Sequence, residues 1–282
     1  MSQHFAILDT RGVLEIAGPD RATFLQGLIS NDTARLGAGH AIYAALLTAQ
    51  GRYLHDFILA PLGEAFLLDG EAARLADLTR RLTIYKMRSK VTLTPRPDLI
   101  VCAVFGDEPL TLAPPAIAFV DPRNAALGTR AIVPNTDALR ERGFAETDAA
   151  EYDRLRLSLG VPDGSRDLVP EKSLLMESGF EALNGIDWNK GCYIGQEITA
   201  RMKYRALVKK QLTPVSVAGP LPEPGTAIMS GDAEVGEIRS GRDGAALALL
   251  RLDALDKAPL RAGDATVRPV KPACHKVDDP TA

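Results

Sequence analysis

Between positions 190 and 197 the chain reads Lys190-Gly191-Cys192-Tyr193-Ile194-Gly195-Gln196-Glu197, which sets an ammonium, a thiol, a phenol, an amide and a carboxylate close together. Cys192 lies just ahead of a helix start and two residues from Lys190. Both features favour thiolate over thiol, and hence reactivity towards sulfur or iron; the plainer alternative is a buried structural cysteine. Gly191 and Gly195 permit a sharp bend or a close backbone approach to a ligand. Gln196 and Glu197 either hydrogen-bond the edge of a flat heterocycle or complement the dipole of a helix continuing through Ile198 and Met202. From 190 to 210 six cations, Lys190, Arg201, Lys203, Arg205, Lys209 and Lys210, face one acid, Glu197. They read either as a solvated helix face or as an anion-binding patch.

The elements that must position this stretch are those of a large globular chain. At 282 residues it exceeds one ordinary core, so two or three domains are expected. A net charge of −3 gives no global field for nucleic acid or for a membrane surface, and neither is expected as a partner. The N-terminal residues lack the basic-then-apolar layout of a secretory signal, and no apolar run is long enough to span a bilayer. A cytoplasmic location is therefore expected. Cys102, Cys192 and Cys274 suit no disulfide framework and no metal-site spacing, so no stable metal site is expected. His40 and His55 are isolated and read as structural or solvated.

Strands are expected at 6–8 and 13–16, followed by a helix with Pro19 in its first turn and Ala22, Leu25, Leu28 and Ile29 inward. Strands at 41–48, 53–59 and 66–68, a helix face on Leu75, Leu78, Leu82 and Tyr85, and strands at 91–93 and 100–105 read as a ββαββ-like unit. Pro109, Pro114 and Pro115 punctuate the chain before strands at 116–120 and 129–133. A helix from a Thr147 cap to Leu159 stops at Gly160, and 161–188 forms a long ordered loop that wraps the site. After Lys210, short strands separated by Gly and Pro turns argue a small antiparallel β-barrel or sandwich.

The run from Lys190 to Glu197, with Ala200-Arg201 and Lys203-Tyr204-Arg205, resembles the signature of the YgfZ-type folate-binding proteins, relatives of the glycine-cleavage T-protein that act in iron–sulfur cluster assembly or repair. Weaker matches lie at 18–27, at Asn31-Asp32, at 46–52 and at Arg156-Leu157-Ser158-Leu159-Gly160-Val161-Pro162. The resemblance implies an α+β, T-protein-like ring of three parts: a discontinuous folate-binding domain (1–47 and 113–205), an inserted ferredoxin-like subdomain (48–112) and a C-terminal antiparallel β-barrel (206–282). It also implies tetrahydrofolate or another reduced folate as cofactor. The residues that would hold it are Lys190, Gly191, Cys192, Tyr193, Gly195, Gln196, Glu197, Arg201 and Arg205, with Cys192 the best candidate for chemistry.

The implied function is that of a folate-binding accessory factor for iron–sulfur clusters, with the assembly machinery or client enzymes as partners. The alternative is a folate-dependent one-carbon transferase or demethylase. Against the alternative, the aminomethyltransferases carry a glutamate after the Arg-Leu pair, where this chain has Ser158.

Overall fold

The computed structural model describes residues 3–37, 39–105, 110–257 and 259–271; Pro109, Cys274 and His275 lie outside them. The chain opens with β1 (His4–Ile7) and β2 (Arg11–Ala17), then α1 (Arg21–Gln26), β3 (Ile42–Leu47), β4 (Tyr53–Leu62), β5 (Ala65–Glu71), α2 (Leu75–Lys86), β6 (Thr92–Pro95) and β7 (Ile100–Phe105). It continues through β8 (Ile117–Val120), β9 (Thr129–Val133), α3 (Asp137–Glu141), β10 (Ala145–Thr147), α4 (Ala149–Ser158) and α5 (Gln196–Tyr204). The C-terminal part holds β11 (Lys210–Ala218), β12 (Ala227–Ser230), β13 (Ala233–Arg242), β14 (Ala245–Arg251), β15 (Leu260–Ala262) and β16 (Ala265–Pro269).

Two five-stranded sheets and one closed barrel account for these strands. The sheet orders are β10-β1-β7-β9-β8 and β3-β4-β5-β2-β6, and the barrel runs β11-β14-β13-β12-β15-β16. Alternation along β3 explains how the second sheet is sandwiched. Tyr43, Ala45 and Leu47 join the largest core with Val101 and Ile132 of the first sheet, while Ile42, Ala44 and Leu46 pack with Phe24 and Leu25 of α1 and Leu78 and Leu82 of α2. The outer face of the first sheet, through Phe5, Cys102 and Val133, is covered by Leu139 of α3 and by Phe144. Cys102 is fully buried, and burial pushes its thiol up to about 12, which makes it inert.

Strand pairing does not follow the ββαββ unit expected over 48–112. β4 pairs with β3, β5 and β6 both pair with β2, and β7 leaves to lie between β1 and β9. β7 is an interior strand of the first sheet, paired along both edges, with its middle four residues buried. The two sheets therefore share the N-terminal strands between them. α4 starts one residue later than expected, because Asp148 rather than Thr147 caps it, accepting the Ala150 N–H at 2.8 Å.

His55, on β4, is buried and bonds Asp77 of α2 through Nε2 at 2.9 Å. Burial, with Arg74 and Arg81 close by, lowers its pKa to about 4 from an ordinary 6.5. The neutral ring therefore donates Nε2–H to the Asp77 carboxylate. Because the folded-state value is depressed, the unfolded chain binds the extra proton between pH 6.5 and 4, and stability is lost as pH falls through that window. The expected loss is about 2–3 kcal/mol. Urea midpoints measured at pH 7 and pH 4.5 should show this drop in the wild type and a smaller one in His55→Gln, which keeps a donor but does not titrate.

Candidate functional site

α5 begins where Gly195 takes the left-handed conformation, φ +82°, and its inward side is set by Thr199 and Met202. The loop before it is stitched to the segment following α1. Asp187 receives the N–H groups of Asn189 and Lys190 on Oδ1 at 2.7 and 2.9 Å, and donates its own N–H to Ser30 O at 3.1 Å. Ile194 donates to Gly27 O at 3.1 Å. Lys190 spans the gap, its Nζ donating to the carbonyls of Gln26, Ile29 and Asn31 at 2.8, 2.6 and 2.8 Å.

Those three bonds use all three ammonium donors. Lys190 is thus a clamp on the carbonyls at and beyond the end of α1, with its Nζ 5.0 Å from the centre of the Tyr193 ring. Burial lowers its pKa to about 8. Tyr193 is buried in the main core, and burial raises its phenol to about 12. Gln196 Oε1 accepts the Tyr193 N–H at 3.1 Å, so this amide braces the loop. Cys192 stands exposed between the pinned Lys190 and Tyr193.

Of the other candidates, Gly191 is exposed with open space where a Cβ would be, and Glu197 and Arg205 are exposed. Arg201 lines a surface groove of about 300 Å³ together with Gln50, Arg52 and Met202. The long stretch before α5 wraps as expected, tying to β4 by Glu171 N–H to Tyr53 O (2.7 Å) and Tyr53 N–H to Ser173 O (3.0 Å). Residues outside the motif also shape the site. Gly51, φ +72°, lies so close that an added Cβ would sit 2.7 Å from Gly195 O. Asn31 donates to Tyr43 O and Asn184 O, at 2.8 and 2.7 Å. Both residues fall in segments of the N-terminal resemblance, which was the available signal.

A second cavity, also about 300 Å³, opens where the first sheet, α4 and the barrel meet. Its walls carry Arg11, Arg123, Arg130, Asp153, Arg156 and Arg242. Most of these cations are paired: Arg123 and Arg130 both reach Asp121 and the Tyr152 hydroxyl, and Asp153 receives Arg156, Arg166 and Arg242. Nε of Arg130 alone is buried there without a partner.

A pterin suits a largely apolar slot with a few converging polar groups. The stretch 190–205 does not make one: Lys190 and the Gln196 Oε1 are spent on the backbone, Lys203 pairs with Glu181, and Cys192 and Glu197 are exposed. The candidate residues therefore do not fit a folate pocket of their own.

Residues 209–276 match the C-terminal β-barrel domain of CAF17. The chain is 37% identical to the mitochondrial iron–sulfur cluster assembly factor IBA57 of Mus musculus, over 90% of this chain and 78% of the mouse protein. The Homo sapiens protein of the same name is 36% identical with the same coverage. This chain belongs to the IBA57 family. The members compared are thus named for cluster assembly rather than as YgfZ-type proteins. The expected cytoplasmic location does not stand either: the mouse, human and Neurospora crassa relatives are named as mitochondrial proteins.

Among solved structures, the glycine cleavage system aminomethyltransferase T of Bartonella henselae superposes with a TM-score of 0.76, over 95% of this chain and 85% of that one, at 16% identity. The expected T-protein-like α+β fold with a closed antiparallel barrel is therefore present in this IBA57-family chain.

Proposed function

We propose that this chain is an iron–sulfur cluster assembly factor in which Cys192 touches the iron or sulfur of a cluster in transit. The supporting observation is the placement of that thiol: exposed, on a loop held at both ends by Lys190 and Tyr193, in a chain whose mouse and human relatives are named cluster assembly factors. One cysteine supplies one thiolate, and a [2Fe–2S] cluster takes four such ligands. Among the described residues no three His, Cys, Asp or Glu side chains gather as a ligand set. The remaining ligands then come from the protein this chain works with, either the assembly machinery or a client enzyme.

Folate enters as a second component of the reading. It is supported by the likeness to an aminomethyltransferase fold and by the junction cavity, whose arginine-rich lining suits an anionic group. The one-carbon transferase alternative is not favoured. Ser158 is exposed, and its Oγ donates to Leu155 O at 2.7 Å, so no carboxylate stands at that position.

The test is complementation of a gene deletion with wild type or Cys192→Ala, assaying cluster enzymes alongside glycine cleavage, with calorimetric titration of both purified proteins by tetrahydrofolate. Loss of cluster-enzyme activity in the deletion, restored by wild type but not by Cys192→Ala, is expected. Normal cluster enzymes in the deletion strain would sink the assembly reading, and a flat titration of the wild type would remove folate from it.

A further inference from the structure

The basic stretch after the signature is not absorbed by the cysteine. Its cations on and just after α5 are not all alike. Lys203 is committed, pairing with Glu181 at 2.7 Å and lying 3.9 Å from the centre of the Trp188 ring. Arg201 and Lys209 are different: both are exposed, both line the groove of about 300 Å³ beside α5, and neither makes an ion pair among the described residues.

The floor of that groove is apolar. Ile198 and Met202 stand one turn apart on α5, Leu174 comes from the wrapping loop, and Leu207 is 41% exposed at the end of the helix. The one acid in the wall, Glu177, faces Arg52 and Lys210, which offset its charge. The groove is therefore an apolar trough with uncompensated positive charge on its rim, in a chain whose net charge is −3.

We propose that this groove docks a partner-protein segment that carries one or two large apolar side chains flanked by acidic residues. Its volume is at the low end for a small-ligand pocket, so it takes a side chain or two rather than a folded surface. A concave trough does not suit a bilayer, which is met by convex apolar tips. No aromatic platform lines it, as single-stranded nucleic acid would need. The groove is also placed to matter. Ile198 is six residues from Cys192, at most about 21 Å along the chain, so a docked segment brings its parent protein to the thiol. The inference stands on the groove alone and not on the cluster reading.

The probe is a short fluorescein-labelled peptide with a central Leu-Phe pair flanked on both sides by glutamates, titrated with the full chain by fluorescence anisotropy. Saturable binding is expected, weakened about tenfold or more by Arg201→Glu and by Leu207→Ser. Arg142→Glu makes the same charge change at an exposed site outside the groove and should leave binding intact, as should Cys192→Ala. Peptides with Ser-Ser at the centre or lysines on the flanks should not bind.

Absence of saturable binding to wild type overturns the proposal, as does equal weakening by Arg142→Glu. So does tighter association with phosphatidylglycerol vesicles than with the peptide, if Arg201→Glu abolishes it. Because Cys192→Ala retains the groove, its failure in complementation and the failure of peptide binding remain separate results.

Discussion

Arg156→Met is expected to cost about 3–5 kcal/mol of folding free energy, the range for stripping one partner from a buried ion pair. The guanidinium is 1% exposed and holds three structural units at once. Nε donates to Asp153 at 2.7 Å, Nη1 to Asp167 at 2.8 Å, and Nη2 to Ser240 of the barrel at 2.8 Å. Asp167 is fully buried and also accepts both the N–H and Oγ–H of Ser240, so methionine would leave its charge without a cation. Arg154 offers the control: it also joins α4 to the barrel, through Asp243 at 2.7 Å, but both side chains are more than half exposed. Arg154→Ala should cost under about 1 kcal/mol. Denaturant midpoints at constant m-value decide the matter; equal costs for the two variants would mean that the Arg156 cluster is not what secures the barrel.

The second large effect separates two glycines that look equivalent in the motif. An added Cβ at Gly195 would lie 2.5 Å from Thr48 O, 2.9 Å from Leu47 Cβ and 3.0 Å from Gly51 Cα, on a backbone with φ +82°. Gly195→Ala combines about 1–2 kcal/mol for the left-handed conformation with about 1–3 for overpacking against backbone that has little room to retreat. Gly191 has open space around it, and Gly191→Ala should stay within about 0.5 kcal/mol. Thermal or urea unfolding of the pair checks the contrast. In complementation, Gly195→Ala should fail alongside Cys192→Ala while Gly191→Ala succeeds, because Gly195 sets where the loop meets the turn between β3 and β4.

The parts legible in the sequence are those where one short-range pattern decides the outcome. The run 42–47 is buried at every position and reads as a strand from composition alone. The spacing of Ile198 and Met202 announces α5, and Gly- and Pro-rich turns mark out most of the barrel. β15, only three residues long, carries too little pattern to be read, and α3 buries a single side chain, Leu139. Long-range pairing is where the reading fails. Lys190 looks like a free cation until the carbonyls of Gln26, Ile29 and Asn31 are brought beneath it. Arg123, Arg130 and Arg156 likewise carry no local sign of burial, since charge is seldom buried unless paired. Their partners Asp69, Asp121 and Asp167 are identified only by the fold.

The division of the first two strands between sheets also sets an order of assembly. β2 finds its partners once residues up to Pro95 exist, so the sheet that carries His55 can close early. β1 must wait for β7 and then for Ala145, Glu146 and Thr147 of β10, its parallel neighbour. The chain's first strand is thus among the last to be satisfied on its sheet, with its edge open until about half of the polypeptide has emerged. Non-local pairing of this kind slows folding and leaves an unpaired edge exposed to aggregation, so the N-terminal strand is the element of this protein that most needs protection during synthesis.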